Sequence, residues 1–350
     1  MSSYNESRQK HITLQLRELL SELPPYLFDF FRGIEHTSSI NTRLAYAYDL
    51  RVFFRYLVPS FKELESMSEI PLVELEKLTP RDIEKYLEYL SYYEEENEKN
   101  ETMAYQNGQR GKARKLAALK TFYQYFYKQQ LISTNPTALV DMPKISEKPI
   151  VKLEIEEIAR LLDSVEDGTE LTEHQKRYHN YTKTRDLALI SLLLGTGIRV
   201  SECVGLNIED IDFNYNGIRI TRKGGNETII YFGEEVERGL KAYLLERESK
   251  ICKDEDTPLF LSLQNKRLSV RSVQILVKKY SSLITNLKTI TPHKLRSTYG
   301  TQLYQETGDI YLVADVLGHK DVNTTKKHYA QMDDARRKMA ASIVKLRSIE

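Results

Sequence analysis

Cysteine is scarce in this chain: Cys203 and Cys252 are the two among 350 residues, isolated from each other and outside any metal-type spacing. That speaks against a disulfide-stapled secreted scaffold and for reduced, structural thiols. Long apolar runs are missing as well. The longest, near Leu187 to Leu194, falls far short of the ~20 residues of a membrane span, and the N-terminus, MSSYNESRQKHITLQ, is too polar for a secretory leader. A soluble, cytoplasmic protein with no membrane partner is expected. There is no GxxxxGK[ST], no HExxH and no CxxC, and Gly195-Thr-Gly197 is only a short turn. Asp210 and Asp212 alternate along a strand beside a turn and read as a solvated pair. Neither a metal nor another cofactor is expected. Net charge is also nearly absent at +1, so a nucleic-acid partner would have to be met by local patches.

Such patches exist. Tyr92 to Glu101, YYEEENEKNE, concentrates acid, whereas the stretch from Arg110 to Gln130 carries Arg110, Lys112, Arg114, Lys115, Lys120 and Lys128 and no acidic residue. A helix of that composition is either a phosphate-facing surface or a merely solvated basic face. From Thr42 to Leu57 the residues Leu44, Tyr48, Val52 and Tyr56 recur at helical spacing beside Arg43, Arg51 and Arg55, an amphipathic helix with a basic edge. LTPRDIEKYLEYL starts another helix, with Thr79 as cap and Pro80 at the first helical position. The length suits two domains. Between Asp141 and Lys152, MPKISEKPI has prolines, charges and no helical period, and reads as an extended linker.

Beyond it, EIEEIARLLDSV opens a second helical unit with acid in its first turn. RDLALISLLL is a buried helix that stops at the Gly-Thr-Gly turn. The pattern then changes to IEDIDF, GIRITR and ETIIYF, separated by Asn216-Gly217 and Gly224-Gly225-Asn226, which fits a small three-stranded antiparallel sheet. Helices resume from Glu234.

Several residues here have chemical potential, each with an ordinary reading beside it. Arg199 follows the Gly-Thr-Gly turn with Glu202 three residues on, a surface ion pair or a held guanidinium. Lys223 stands at a glycine-rich hairpin tip, solvated or close to a nucleic-acid groove. His293 and Arg296 lie one turn apart at a helix start that favours anions, the ordinary reading of His293 being a core or capping role. His319 follows Leu317-Gly318, where it caps a helix or faces a site. Tyr329 is one of 23 tyrosines, set apart by its spacing from His319. A phenol, with pKa ~10, is a poor nucleophile until cationic neighbours favour its ionised form. The same charges stabilise a phosphate under in-line attack, and two arginines grip its oxygens in a fork that lysine cannot form.

With GTGIRVSE, TRKGGNETIIYF, TPHKLRST and LGHKDVNTTKKHYA in that order, the chain resembles the tyrosine recombinase (phage integrase) family over nearly its whole length. TRLAYAYDLRVFFRYL and ARKLAALKTFYQYFYKQQLISTNPT are similar to the family's helical core-binding domain. The resemblance implies a mainly α fold with a small antiparallel β-sheet, in a two-domain DNA clamp. The expected division is an N-terminal extension (1–35), a SAM-like core-binding domain (36–142), a linker (143–152), a catalytic domain (153–332) and a tail helix (333–350) docking in trans or in cis. The resemblance also implies roles. Arg199 and Arg296 clamp the scissile phosphate, Glu202 supports them, and Lys223 protonates the leaving 5′ oxygen. His293 and His319 position or protonate phosphate and phenol, and Tyr329 forms a 3′-phosphotyrosyl link. Arg43, Arg51, Arg110, Lys112, Arg114, Lys115 and Lys120 are the expected DNA contacts. The interval from His319 to Tyr329 is one residue longer than the family's commonest, and His328 directly precedes the tyrosine.

The implied activity is site-specific strand exchange through a Holliday junction, by a homotetramer on duplex DNA with paired inverted half-sites. No cofactor is implied, because the phosphotyrosine conserves the energy of the cleaved bond. Within the family the nearest look is Xer-type, which implies chromosome dimer resolution and leaves open a DNA translocase as a further partner. An integrase or resolvase of a mobile element is the enzyme alternative. A type IB topoisomerase is disfavoured by the tail beyond Tyr329. A catalytically silent DNA-binding architectural protein is the alternative from another class.

Overall fold

The computed structural model describes residues 3–61, 64–96, 101–146, 150–222, 225–250, 252, 257–319, 321, 322 and 325. The chain forms two compact units, one of residues 5–148 and one of residues 149–350 together with residues 1–4. The boundary falls within the proline-containing stretch between Asp141 and Lys152.

The first unit is built from α1 (Ser3–Ser21), α2 (Tyr26–Gly33), α3 (Ile40–Leu57), α4 (Leu72–Glu76), α5 (Pro80–Tyr89), a hairpin of β1 (Tyr93–Glu96) and β2 (Thr102–Tyr105), and α6 (Gln109–Lys128). Its helices start where capping chemistry allows. Ser39 accepts from the Thr42 amide at the head of α3, and Thr79 donates its amide to Asp82 at the head of α5, where Pro80 needs no donor of its own. Leu116, Leu119, Phe122, Tyr123 and Phe126 form the buried stripe of α6. Phe122 meets Phe30 and Phe126 edge to face, with centroids 5.5 and 5.0 Å apart, the arrangement that the ring quadrupole favours.

Two features go beyond the sequence reading. Within the segment expected as an N-terminal extension, residues 5–35 are an integral part of this unit, because Leu16, Leu19, Leu20, Leu23, Leu27, Phe30 and Phe31 all enter its core. Their spacing is an apolar stripe at helical period, interrupted by Pro24-Pro25, which separates α1 from α2. The acidic run, which the sequence reading gave no element, supplies β1. Its glutamates offer no apolar alternation. The strand is held instead by Tyr93, stacked on Tyr89 and on its cross-strand partner Tyr105 at 5.0 and 5.3 Å, and by Arg55 paired to Glu95 at 3.0 Å.

The second unit comprises α7 (Ile155–Asp167), α8 (Glu173–Thr196), α9 (Val200–Gly205), β3 (Ile211–Asp212), β4 (Gly217–Thr221), β5 (Glu227–Tyr231), α10 (Glu234–Arg247), α11 (Val270–Ile284), α12 (Pro292–Thr307) and α13 (Ile310–Leu317). α8 is central, flanked by α7, α10 and α12, so its segment from Ala188 to Leu194 is buried on all sides. The sheet is antiparallel in the order β3-β4-β5, with Ile218 opposite both Ile211 and Ile230. Ile218, Ile220 and Ile230 point into the core, while Arg219, Ile229 and Tyr231 point out. No described helix is long and apolar enough to cross a membrane.

Candidate active site

Two helices end side by side in function, α8 at Gly197 and α13 at Gly318. Both glycines adopt the left-handed conformation, with φ of 61° and 63°, which a side chain would strain. Each end presents carbonyls that have no partner within the helix, and the backbone dipoles give that end partial negative charge. The structure answers with arginines.

Arg199 caps the start of α9, and its own geometry is fixed by Glu202. The Arg199 amide donates to one carboxylate oxygen at 2.9 Å, and Nη1 donates to the other at 2.7 Å. Its Nη2 donates to the Gly318 carbonyl at 3.0 Å. Glu202 is therefore the orienting carboxylate, almost wholly buried, while Arg199 retains a third of its exposure. Arg296, one turn into α12, is buried and reaches both helix ends at once, with Nη1 on the Gly197 carbonyl and Nη2 on the Leu317 carbonyl. Anchoring a guanidinium on carbonyls fixes its plane without neutralising it, so its charge stays available to an anion.

The α12 start is made by Thr291, whose hydroxyl accepts from the Lys294 amide, and by Pro292 in the first turn. It places His293 on the exposed side and Arg296 on the buried side. His319 directly follows the α13 cap. Its amide bonds back to the Ala314 carbonyl at 2.9 Å, and its Nδ1 shares a 2.8 Å hydrogen bond with the buried Thr325 hydroxyl. That bond sets the ring's orientation. The folded chain thus brings Arg199, Glu202, Arg296 and His319 to one turn. Lys223, Tyr329 and the tail helix of residues 333–350 lie outside the described residues.

Arg222 escaped sequence reasoning. It joins the end of β4 to the α13 terminus, donating to the Asp315 and Val316 carbonyls. The one available signal was its position beside Lys223 in TRKGGNE. Arg267 was also missed. It donates to the Val204 and Leu206 carbonyls at 3.1 and 3.0 Å and holds the far end of α9.

The basic residues of the first unit divide. Arg110 and Arg114 are exposed on α6. Lys112 reaches Ser91 at 2.7 Å and Lys120 reaches the Val140 carbonyl at 2.7 Å. Arg43 pairs with Glu35, and Arg51 with Glu22 while lying over the Tyr48 ring. Lys115 is the correction. Its ammonium is buried and bonded at 2.9 Å to Asp49, which is itself fully enclosed and also receives Arg114. A phosphate cannot reach it, since its turn of α6 faces the core.

Comparison with known proteins agrees with this geometry. Residues 152–336 match the Phage integrase family. The chain is 35% identical to the tyrosine recombinase XerC of Caldanaerobacter subterraneus subsp. tengcongensis over 91% of its own length and 86% of that protein's. It is 28% identical to the tyrosine recombinase XerS of Lactococcus lactis subsp. cremoris, over 91% and 95% respectively. In fold it is similar to the XerH site-specific recombinase solved on a palindromic difH substrate, with a TM-score of 0.62 and 23% identity over 95% of this chain and 94% of that one. With two arginines, a histidine and an orienting glutamate gathered within the matched region, the chain belongs to the phage integrase family and is a tyrosine recombinase, an enzyme that cleaves and rejoins DNA through a phosphotyrosine intermediate.

Proposed function

We propose that this protein exchanges strands between two copies of a specific duplex DNA site, with Tyr329 as nucleophile, in the manner of an Xer recombinase. The observation that supports this most directly is the meeting of Arg199, Arg296 and His319 at the ends of α8 and α13. Cations anchored on main-chain carbonyls form a rigid receptor for a phosphodiester, and preorganised charge of this kind stabilises the transition state. In the first step the Tyr329 phenolate oxygen bonds to phosphorus and the bond to the 5′ oxygen breaks. Lys223 gives that oxygen its proton. One phosphoester replaces another, so a 5′-hydroxyl from the second duplex reverses the step, releases the tyrosine and leaves a joined strand. No external energy source enters.

Near-full-length similarity to Xer proteins favours resolution of chromosome dimers, by four subunits on paired inverted half-sites in the cytoplasm. Arg43, Arg51, Arg110, Lys112, Arg114 and Lys120 are the basic groups of the first unit assigned to DNA; with net charge +1 overall, affinity would rest on these local patches.

The test is covalent trapping. DNA bound to the wild-type protein is sheared, and fragments that stay attached after denaturation are sequenced to map the site. Wild-type protein is expected to mark one site on the chromosome. Tyr329→Phe is expected to keep gel-shift binding there and to lose attachment entirely. Attachment by the Phe variant would exclude Tyr329 as sole nucleophile, and attachment confined to a mobile element would replace the chromosomal role.

A further inference from the structure

The four carbonyls from Asp315 to Gly318 receive hydrogen bonds from three arginines that are distant in the chain. Arg199 takes Gly318 and Arg296 takes Leu317. Arg222 takes the remaining two, with Nη1 on Asp315 at 3.2 Å and Nη2 on Val316 at 2.8 Å. Its backbone also closes the β4–β5 turn, through its amide to the Asn226 carbonyl at 2.8 Å. One residue therefore ties the base of the hairpin to the last turn of α13.

Three further observations mark this contact as constructed. Its guanidinium fills the space left by the missing side chain of Gly318, where an added Cβ would lie 1.4 Å from Nη1. Its Nε is enclosed with no hydrogen-bond partner in the described structure, an arrangement that costs stability and so speaks for position rather than for the sum of its bonds. Burial lowers its pKa, Glu202 and Asp315 oppose that shift and Arg199 adds to it, so it belongs to the same electrostatic cluster as Arg199 and Glu202.

We propose that Arg222 is a positioning residue for strand cleavage. It fixes the Gly318–His319 turn, and through that turn the carbonyls on which Arg199 and Arg296 are seated. Neither of its anchoring groups needs to touch DNA. The residue that follows it in the chain is Lys223, so the same clasp bears on the hairpin assigned to proton donation. This rests on the recombinase reading above.

The experiment uses the full chain on a nicked duplex carrying the site mapped by covalent trapping. Single-turnover formation of the covalent complex is measured beside gel-shift affinity and thermal midpoint. Arg222→Ala is expected to slow attachment by about 10²-fold, the cost of a misplacement near 1 Å, with DNA affinity unchanged. Arg222→Lys stays slow, because one ammonium cannot span two adjacent carbonyls as a planar fork does. Guanidinium ion at millimolar concentration restores part of the rate to Arg222→Ala and none to Arg222→Leu, whose side chain fills the space. Wild-type attachment rates in Arg222→Ala or Arg222→Lys overturn the proposal. So does a slow variant that guanidinium leaves slow and whose loss follows its loss of affinity and thermal midpoint. Wild-type protein that forms no covalent link to its site overturns the recombinase reading, and this proposal with it.

Discussion

Replacing Lys115 with methionine distinguishes a basic residue that builds the fold from the basic residues assigned to DNA. The Asp49 carboxylate is completely enclosed, and Lys115 is its buried partner at 2.9 Å. Removing one partner of a buried ion pair strands the other at a cost of about 3–5 kcal/mol. Arg114 still reaches Asp49, at 2.5 Å from a half-exposed position, so the loss falls near the lower end, about 3 kcal/mol. For a unit of this size that lowers the unfolding midpoint by roughly 10 °C. A phosphate contact behaves differently, contributing about 0.9 to the slope of log affinity against log salt concentration. Lys115→Met should therefore unfold early yet keep the wild-type slope when titrated with its duplex site well below the midpoint. Arg110→Ala, changed at an exposed position, should keep its midpoint and lose about 0.9 of slope. Converting Asp49 to leucine in the Lys115→Met background should recover most of the lost stability, because no charge is then left buried. A methionine variant of normal stability whose salt slope has dropped by one contact would refute the reasoning.

Lys223→Ala should cleave an ordinary site poorly, and should cleave well a substrate whose 5′-bridging oxygen is sulfur, since a thiolate leaves without a proton; equal defects on both remove Lys223 as general acid. Truncation after Ala335 removes Met339, Ile343 and Leu346, whose spacing in the sequence is that of an apolar helical stripe. Half-site binding is expected to persist while cooperative binding to full sites weakens, and gel-shift titration showing unchanged cooperativity would count against docking between subunits. His179 is buried with its Nδ1 3.2 Å from the Tyr280 hydroxyl, and burial, followed by the Lys279 ammonium, holds its pKa below the ordinary imidazole value. The unfolded chain then takes up the proton first, so this contribution to stability is complete above about pH 6.5 and is lost as pH falls through the lower folded value. Urea midpoints measured between about pH 7.5 and about pH 5.5 should fall less steeply in His179→Gln, and an unaltered slope would assign the dependence to other groups.

Local rules carried much of this protein. The helical stripe of α6, the helix starts at Thr79-Pro80 and Thr291-Pro292, the three short strands and the glycine at each helix end are readable because each depends on residues within a few positions of one another. The motif order was readable for the same reason, and so was the pairing of Arg199 with Glu202 across one helical turn. What the linear pattern could not supply was which side of an element would meet which partner. Arg114 and Lys115 are neighbours of equal charge, yet one stays half exposed and the other is enclosed, because a carboxylate from α3, 66 positions away, waits on the inner side. The leucines of α1 and α2 are ordinary amphipathic residues until the rest of their unit covers them. The strand at Tyr93 exists through rings brought from α5 and β2. At the site, no local spacing joins Arg199, Arg222 and Arg296. They converge because the last turns of α8 and α13 present carbonyls that the helices leave wholly or partly unpaired, and the further donors come from elsewhere in the chain.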